Sequence, residues 1–170
     1  MVNENDLVQL QLIQHNAMEI RKHKESDRPA IMKIMQLNTP EYFSPNEEKD
    51  LIYYLDEHAG NYFVAEEDGV ILGCAGFNIS QDGRIGGLSW DFVHPSAQGK
   101  GIGSALTIYR LEEIRKIETV QVFSVRTSQM AYPFYEKFGL VVKEIVKDYW
   151  DAGYDLYHME VDIKLAGRTK

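Results

Sequence analysis

The chain has 170 residues, 44% hydrophobic and 26% charged, which suits one globular domain with a single sizeable core. A formal net charge of -8 argues against a nucleic-acid partner, since phosphate binding needs a basic face, and is compatible with a cationic small molecule or a basic peptide. The lone Cys74 excludes a disulfide framework and a thiolate-rich metal site; no apolar run reaches ~18 residues and the N-terminus lacks a secretory pattern, so a cytoplasmic protein is expected.

Residues 4–16 read as an appended N-terminal helix, with Leu7, Leu10 and Ile13 at helical spacing. Ala17 to Lys22 alternates weakly and predicts a short strand. A helix follows over 26–38, with Ser26 or Asp27 as cap and Ile31, Ile34 and Met35 on one face. Ser44, Pro45 and Glu47 stand in the order of a cap, a first-turn proline and a capping-box partner, which predicts a second helix to His58. "NYFVAEE" and "GVILGCAGFNIS" are strand-like runs joined by the hairpin signal "EDG", and "GRIGGLSWDFV" is a third.

Gly99, Gly101 and Gly103 then open a helix over 101–116. Beyond it come a strand "TVQVFSV", a short helix "SQMAYPFYEKF" closed by Gly139, and strands over 140–150 and 155–163 before a charged tail at 166–170. The order predicts an α/β (α+β) domain: a mixed, mostly antiparallel twisted sheet flanked by helices.

The segment "QGKGIGS" carries the first chemical signal. A phosphate-binding P-loop would need Lys-Ser or Lys-Thr after the last glycine, and a dinucleotide fingerprint starting at Gly99 would need glycine where Ser104 stands. Two readings stay open on this segment alone. One is a plain strand-to-helix turn; the other is a helix N-terminus whose unpaired N–H groups and positive dipole end cradle a pyrophosphate. The second signal is "AYPFYEKFGL", with Tyr132, Phe134, Tyr135 and Phe138 on a short helix, a pattern that by itself is also compatible with core packing.

Together the two segments resemble the GCN5-related N-acetyltransferase (GNAT) superfamily. Its acyl-CoA motif Q/R-x-x-G-x-G/A appears as Gln98-Gly99-Lys100-Gly101-Ile102-Gly103, and its later signature as Ala131, Phe134, Tyr135, Lys137 and Gly139, with Leu140 in the last place. The resemblance implies one acyltransferase domain over 17–165 and a sheet splayed at the strand ending near Val93. It implies acetyl-CoA as co-substrate, an amine as acceptor and no metal. Main-chain N–H groups from Gln98 to Ser104, through Gly99, Lys100, Gly101, Ile102 and Gly103, would hold the pyrophosphate. Phe92 and Val93 would pair with the pantetheine arm and polarise the thioester carbonyl. Ser128 stands where many members carry an asparagine that helps hold the cofactor, and Tyr132 is expected beside it.

For catalysis, Tyr135 is the expected hydrogen-bond donor to the departing thiolate. A phenol at ~10 against a thiol at ~8.5 favours a positioned donor over full proton transfer. Asp91 is the expected base or charge anchor for the amine; His94, in the loop before Pro95, reads as exposed, and Cys74 as packed in a strand. The segments "LNTPEYFSP" and "VKDYWDAGYDLY" are expected at the acceptor, where carboxylates and aromatic faces suit a cation. The resemblance leaves a homodimer as one option. It also leaves rival activities: another acyl-CoA, an antibiotic, a protein N-terminus or lysine as acceptor, or a non-catalytic acyl-CoA-binding module.

Overall fold

A computed structural model describes residues 18–167, so the helix expected over 4–16 lies outside the described residues. Strand β1 (Met18–Lys22) leads into helix α1 (Arg28–Leu37), and α2 (Glu48–Glu57) follows. Three strands come next, β2 (Tyr62–Glu67), β3 (Val70–Ile79) and β4 (Ile85–Val93), and then helix α3 (Ile102–Arg115). The chain closes with β5 (Val122–Thr127), the short helix α4 (Tyr132–Glu136), β6 (Val141–Asp151) and β7 (Tyr154–Asp162).

Both early helices begin through a 3-10 turn, which moves their starts downstream of the expected caps. Before α1, Asp27 accepts from the Lys24 N–H at 2.7 Å and from Arg21 at 2.8 and 2.9 Å. Before α2, Ser44 and Glu47 form the reciprocal capping box that their spacing predicts. Asp68 and Gly69, at φ +50° and +79°, build the tight turn between β2 and β3.

The seven strands form one sheet in the order β1-β2-β3-β4-β5-β7-β6, antiparallel throughout except between β4 and β5. That parallel pair is the strand–helix–strand crossover through α3. Its ladder runs from Ile85↔Val122 to Leu88↔Val125 and stops. Beyond Leu88 the two strands run on to Val93 and Thr127 without pairing to each other, while β4 stays paired with β3 and β5 with β7, so the sheet is splayed where the resemblance implies.

A β-bulge adds to the opening. The β3–β4 register passes from Gly76↔Ser89 to Cys74↔Phe92, which sets Trp90 and Asp91 against Ala75, and Trp90 takes φ +47°. One core cluster, around Ile31, Ile34, Leu51 and Tyr62, extends to Phe92. The other, around Ile114, Phe123, Phe138 and Met159, takes in Tyr135. The split β4/β5 seam and the N-terminus of α3 therefore open onto the same region.

Candidate active site

The site starts from the turn that leads into α3. Gly99 and Gly101 sit at φ +77° and +84°, left-handed angles that a residue with a Cβ adopts only at a cost. Gly101 caps the helix, and its carbonyl takes the Ala105 N–H at 3.0 Å as the first rung of the ladder. The N–H groups of Ile102, Gly103 and Ser104 come ahead of that rung, where helical geometry offers no internal acceptor. Gly103 is ordinary in space: a Cβ there would meet Phe134 at 3.5 Å, normal contact.

All the residues expected at the site line one cleft of about 970 Å³, except Lys100 and Tyr132. The Tyr132 ring is stacked instead on Tyr157, 4.5 Å between centroids. Ser128 lines the cleft, and its carbonyl accepts from the Ala131 and Tyr132 N–H groups ahead of α4. Gln98 turns inward as a brace, its amide donating to Asn38 Oδ1 at 3.0 Å. Asn38, at the end of α1, donates to the Val93 carbonyl at 3.0 Å and to Ile34 at 2.9 Å. At the free end of β4, then, side chains take the place of a neighbouring strand for that carbonyl.

Asp91 and Tyr135 meet on one carboxylate oxygen. The Tyr135 hydroxyl donates to Asp91 Oδ2, and Arg110 Nη2 donates to the same atom at 2.9 Å. Arg110 is fully buried on α3, and Thr107, Leu106 and Gly76 accept its remaining hydrogen bonds at 3.0–3.2 Å. Such a buried cation is stable only when paired and fully bonded, so Asp91 is first of all its counter-ion. Burial, then the adjacent carboxylate, hold the Tyr135 phenol well above its ordinary pKa. That group donates a hydrogen bond and does not ionise at neutral pH.

The opposite wall of the cleft is aromatic. Phe43 stacks on Trp90 at 6.0 Å, and Tyr54 lies 6.4 Å from the same indole. The loop between α1 and α2 is tied over this wall from the other end of the sheet. Asp151 accepts from Ser44 and from Asn46, the latter at 2.7 Å, and the Tyr154 hydroxyl donates to the Pro40 carbonyl at 2.6 Å. Cys74 is buried with its thiol pushed up to about 12 by burial, a poor setting for a thiolate nucleophile. His94 caps the short turn after β4, accepting from the Ser96 N–H at 3.1 Å.

The Acetyltransferase (GNAT) family model matches residues 31–140, from α1 through the end of the α4 motif. The chain belongs to the GNAT acetyltransferase family. Among curated relatives, an amino-acid acetyltransferase of Neisseria meningitidis serogroup A is 25% identical over 116 residues, 65% of this chain and 25% of that protein. A mycothiol acetyltransferase of Streptomyces griseus is 30% identical over 86 residues, 49% of this chain and 28% of that protein. The match thus spans about a quarter of either relative's length. Among solved structures, a Salmonella typhimurium protein described as an acetyltransferase, with acetyl-CoA as its cofactor, superposes with a TM-score of 0.66 at 25% identity. The match covers 87% of this chain and 95% of that one. Among the described residues, no helix is long and apolar enough to cross a membrane, and no cluster of side chains is arranged to hold a metal.

Asn38, Arg110 and Glu47 are site residues that sequence reasoning passed over. Arg110 left a trace: at helical spacing it shares a face with Leu106, Thr107 and Ile114, and a cation on an apolar face signals a buried counter-charge. Glu47 left only its capping signature.

Proposed function

We propose that this chain moves the acetyl group of acetyl-CoA directly to a primary amine of a small molecule or peptide. The observation that carries this reading is the parting of β4 from β5 after Leu88, beside a left-handed glycine turn that feeds the first N–H groups of α3. A pantetheine arm fits a gap lined by an unpaired strand edge, and a diphosphate fits exposed amides at the positive end of a helix dipole. The main-chain N–H groups of Ile102, Gly103 and Ser104 are donors of this kind.

The chemistry follows from the same groups. The amine nitrogen attacks the thioester carbon, and a main-chain N–H near Phe92 or Val93 stabilises the oxyanion. The carbon–sulfur bond breaks as the tetrahedral species collapses, and the Tyr135 hydroxyl turns its hydrogen bond toward the sulfur as charge gathers there. Asp91 holds Tyr135 in position and neutralises Arg110. Ser128 and the main-chain N–H groups from Gln98 to Ser104 hold the cofactor, with the Lys100 side chain and Tyr132 at the margin.

The test is a free-thiol release assay with acetyl-CoA and a panel of primary amines, run beside calorimetry with CoA. Binding together with amine-dependent thiol release is the expected result. CoA binding with no release for any amine would make the chain an acyl-CoA-binding module; no binding at all would end the reading.

A further inference from the structure

We propose that Glu47 grips the incoming ammonium group at the aromatic end of the cleft and takes its proton, and that the acceptor is a primary amine with a flat or apolar body and no carboxylate. The inference rests on the acetyl-transfer reading above and adds to it the identity of the base and the class of acceptor.

Glu47 is more than nine-tenths buried, at 8% exposure, yet belongs to the wall of the cleft. Its Oε2 accepts the Ser44 N–H at 2.7 Å, and among the described residues no other hydrogen bond to this carboxylate is present. No cation pairs with it among the described residues either. The charged groups that bear on it are Asp50 of α2 and Asp151 at the tip of β6, both negative. An anion so placed gains most from a cationic ligand. Burial, opposed by the Ser44 N–H and helped by the two acids, raises its pKa, which brings it closer to that of a useful base at neutral pH.

The surroundings select the body of the acceptor. Phe43, Tyr54 and Trp90 present rings to the same cleft, a surface suited to an apolar group next to a positive charge. A carboxylated acceptor would gain most from a cation of its own beside the aromatic wall. The lysine and arginine side chains on the described cleft wall are those of Arg126 and Lys137. Arg126 donates to the Tyr149 hydroxyl at 2.7 Å, and Lys137 lies 5.5 Å from the Phe134 ring, which packs beside Gly103 at the cradle. The rings they are seen against are thus Tyr149 and Phe134.

The protons balance as follows. The bound ammonium gives one proton to Glu47, and the freed lone pair forms the new carbon–nitrogen bond. As the carbon–sulfur bond breaks, the sulfur keeps the electron pair and the second proton leaves the amide nitrogen for the thiolate, giving CoA thiol. Glu47 returns the first proton to water after product leaves.

The test compares 2-phenylethylamine with glutamate as acceptors, in the wild type and in Glu47→Gln, whose amide oxygen still accepts the Ser44 N–H. In water at pH 7 an alkylamine is neutral in only about one molecule in a thousand, so a variant without the base depends on that fraction. The wild type is expected to favour 2-phenylethylamine by about 100-fold or more and to show kcat/KM nearly flat between pH 7 and 9. E47Q is expected to lose about 100-fold at pH 7 and to recover about tenfold per pH unit, with CoA affinity unchanged. An E47Q profile matching the wild type, a preference for glutamate, or a wild-type rate climbing tenfold per unit would each overturn the proposal; the last needs no variant. If CoA binds but no amine yields thiol, the acetyl-transfer reading fails. Calorimetry of 2-phenylethylamine on the CoA complex then decides the site: binding that E47Q abolishes supports it, and no binding to the wild type overturns it.

Discussion

Asp91 Oδ2 receives two donors of different character, a permanent guanidinium and a phenol. Both side chains are buried, but the phenol also lines the cleft, and its O–H hydrogen can rotate about the C–O bond toward a new acceptor. In the proposed mechanism the thioester sulfur, as it gains charge, would compete with Asp91 for the Tyr135 hydrogen, an interaction stronger in the transition state than in the ground state. Tyr135→Phe is therefore expected to lower kcat by about 100-fold while the Kd for CoA stays within about twofold, read by thiol release and calorimetry. Unchanged turnover would remove the hydroxyl from the mechanism. Tyr135 and Asp91 were legible one by one, Tyr135 from its motif and Asp91 from its place at the strand end. Their meeting was not, because it depends on Arg110, which lies 19 residues further along the chain.

At the scale of elements, the glycines on either side of the start of α3 do different work. Gly101→Ala would place a Cβ where nothing lies within 4 Å, so its penalty is purely the left-handed backbone at φ +84°. That costs about 1–2 kcal/mol, and relief of the strain rotates the amides that follow. We expect a comparable loss of stability in urea unfolding and about a tenfold weaker Kd for CoA. Gly103→Ala is the contrast: its φ is helical and Phe134 stands at ordinary contact, so alanine is expected to hold or raise stability. Equal destabilisation by both would mean that the turn is not what aims the amides. The helices and hairpins were readable because caps and turn residues act locally, as Ser44 with Glu47 and Asp68 with Gly69 do. The bulge at Trp90 was not, since two residues facing one across a ladder is a property of the pair of strands and neither strand alone encodes it.

For the whole molecule, the proposed reading requires a chain of net charge -8 to attract a polyanionic cofactor. Two sources of attraction behave differently with salt. Lysine and arginine pairs with phosphates release counterions and weaken steeply as salt rises. Backbone donors at a helix end act at contact range, while the repulsion from the molecule's total charge is long-ranged and is what salt screens first. A cradle made of the N–H groups at Gln98–Ser104 therefore predicts CoA affinity that holds or improves between 20 and 200 mM salt. Thermal unfolding reads this directly: CoA at about 100 times its Kd adds about 2.7 kcal/mol to the folded state, which for a chain of this size raises Tm by roughly 5–11 °C. The expected shift at 200 mM salt is at least as large as at 20 mM, once CoA is set at the same absolute concentration. A shift that collapses with salt would assign the grip to Lys100, Arg126 and Lys137 in place of the helix mouth. The glycine turn would then serve only to bring the chain from β4 into α3.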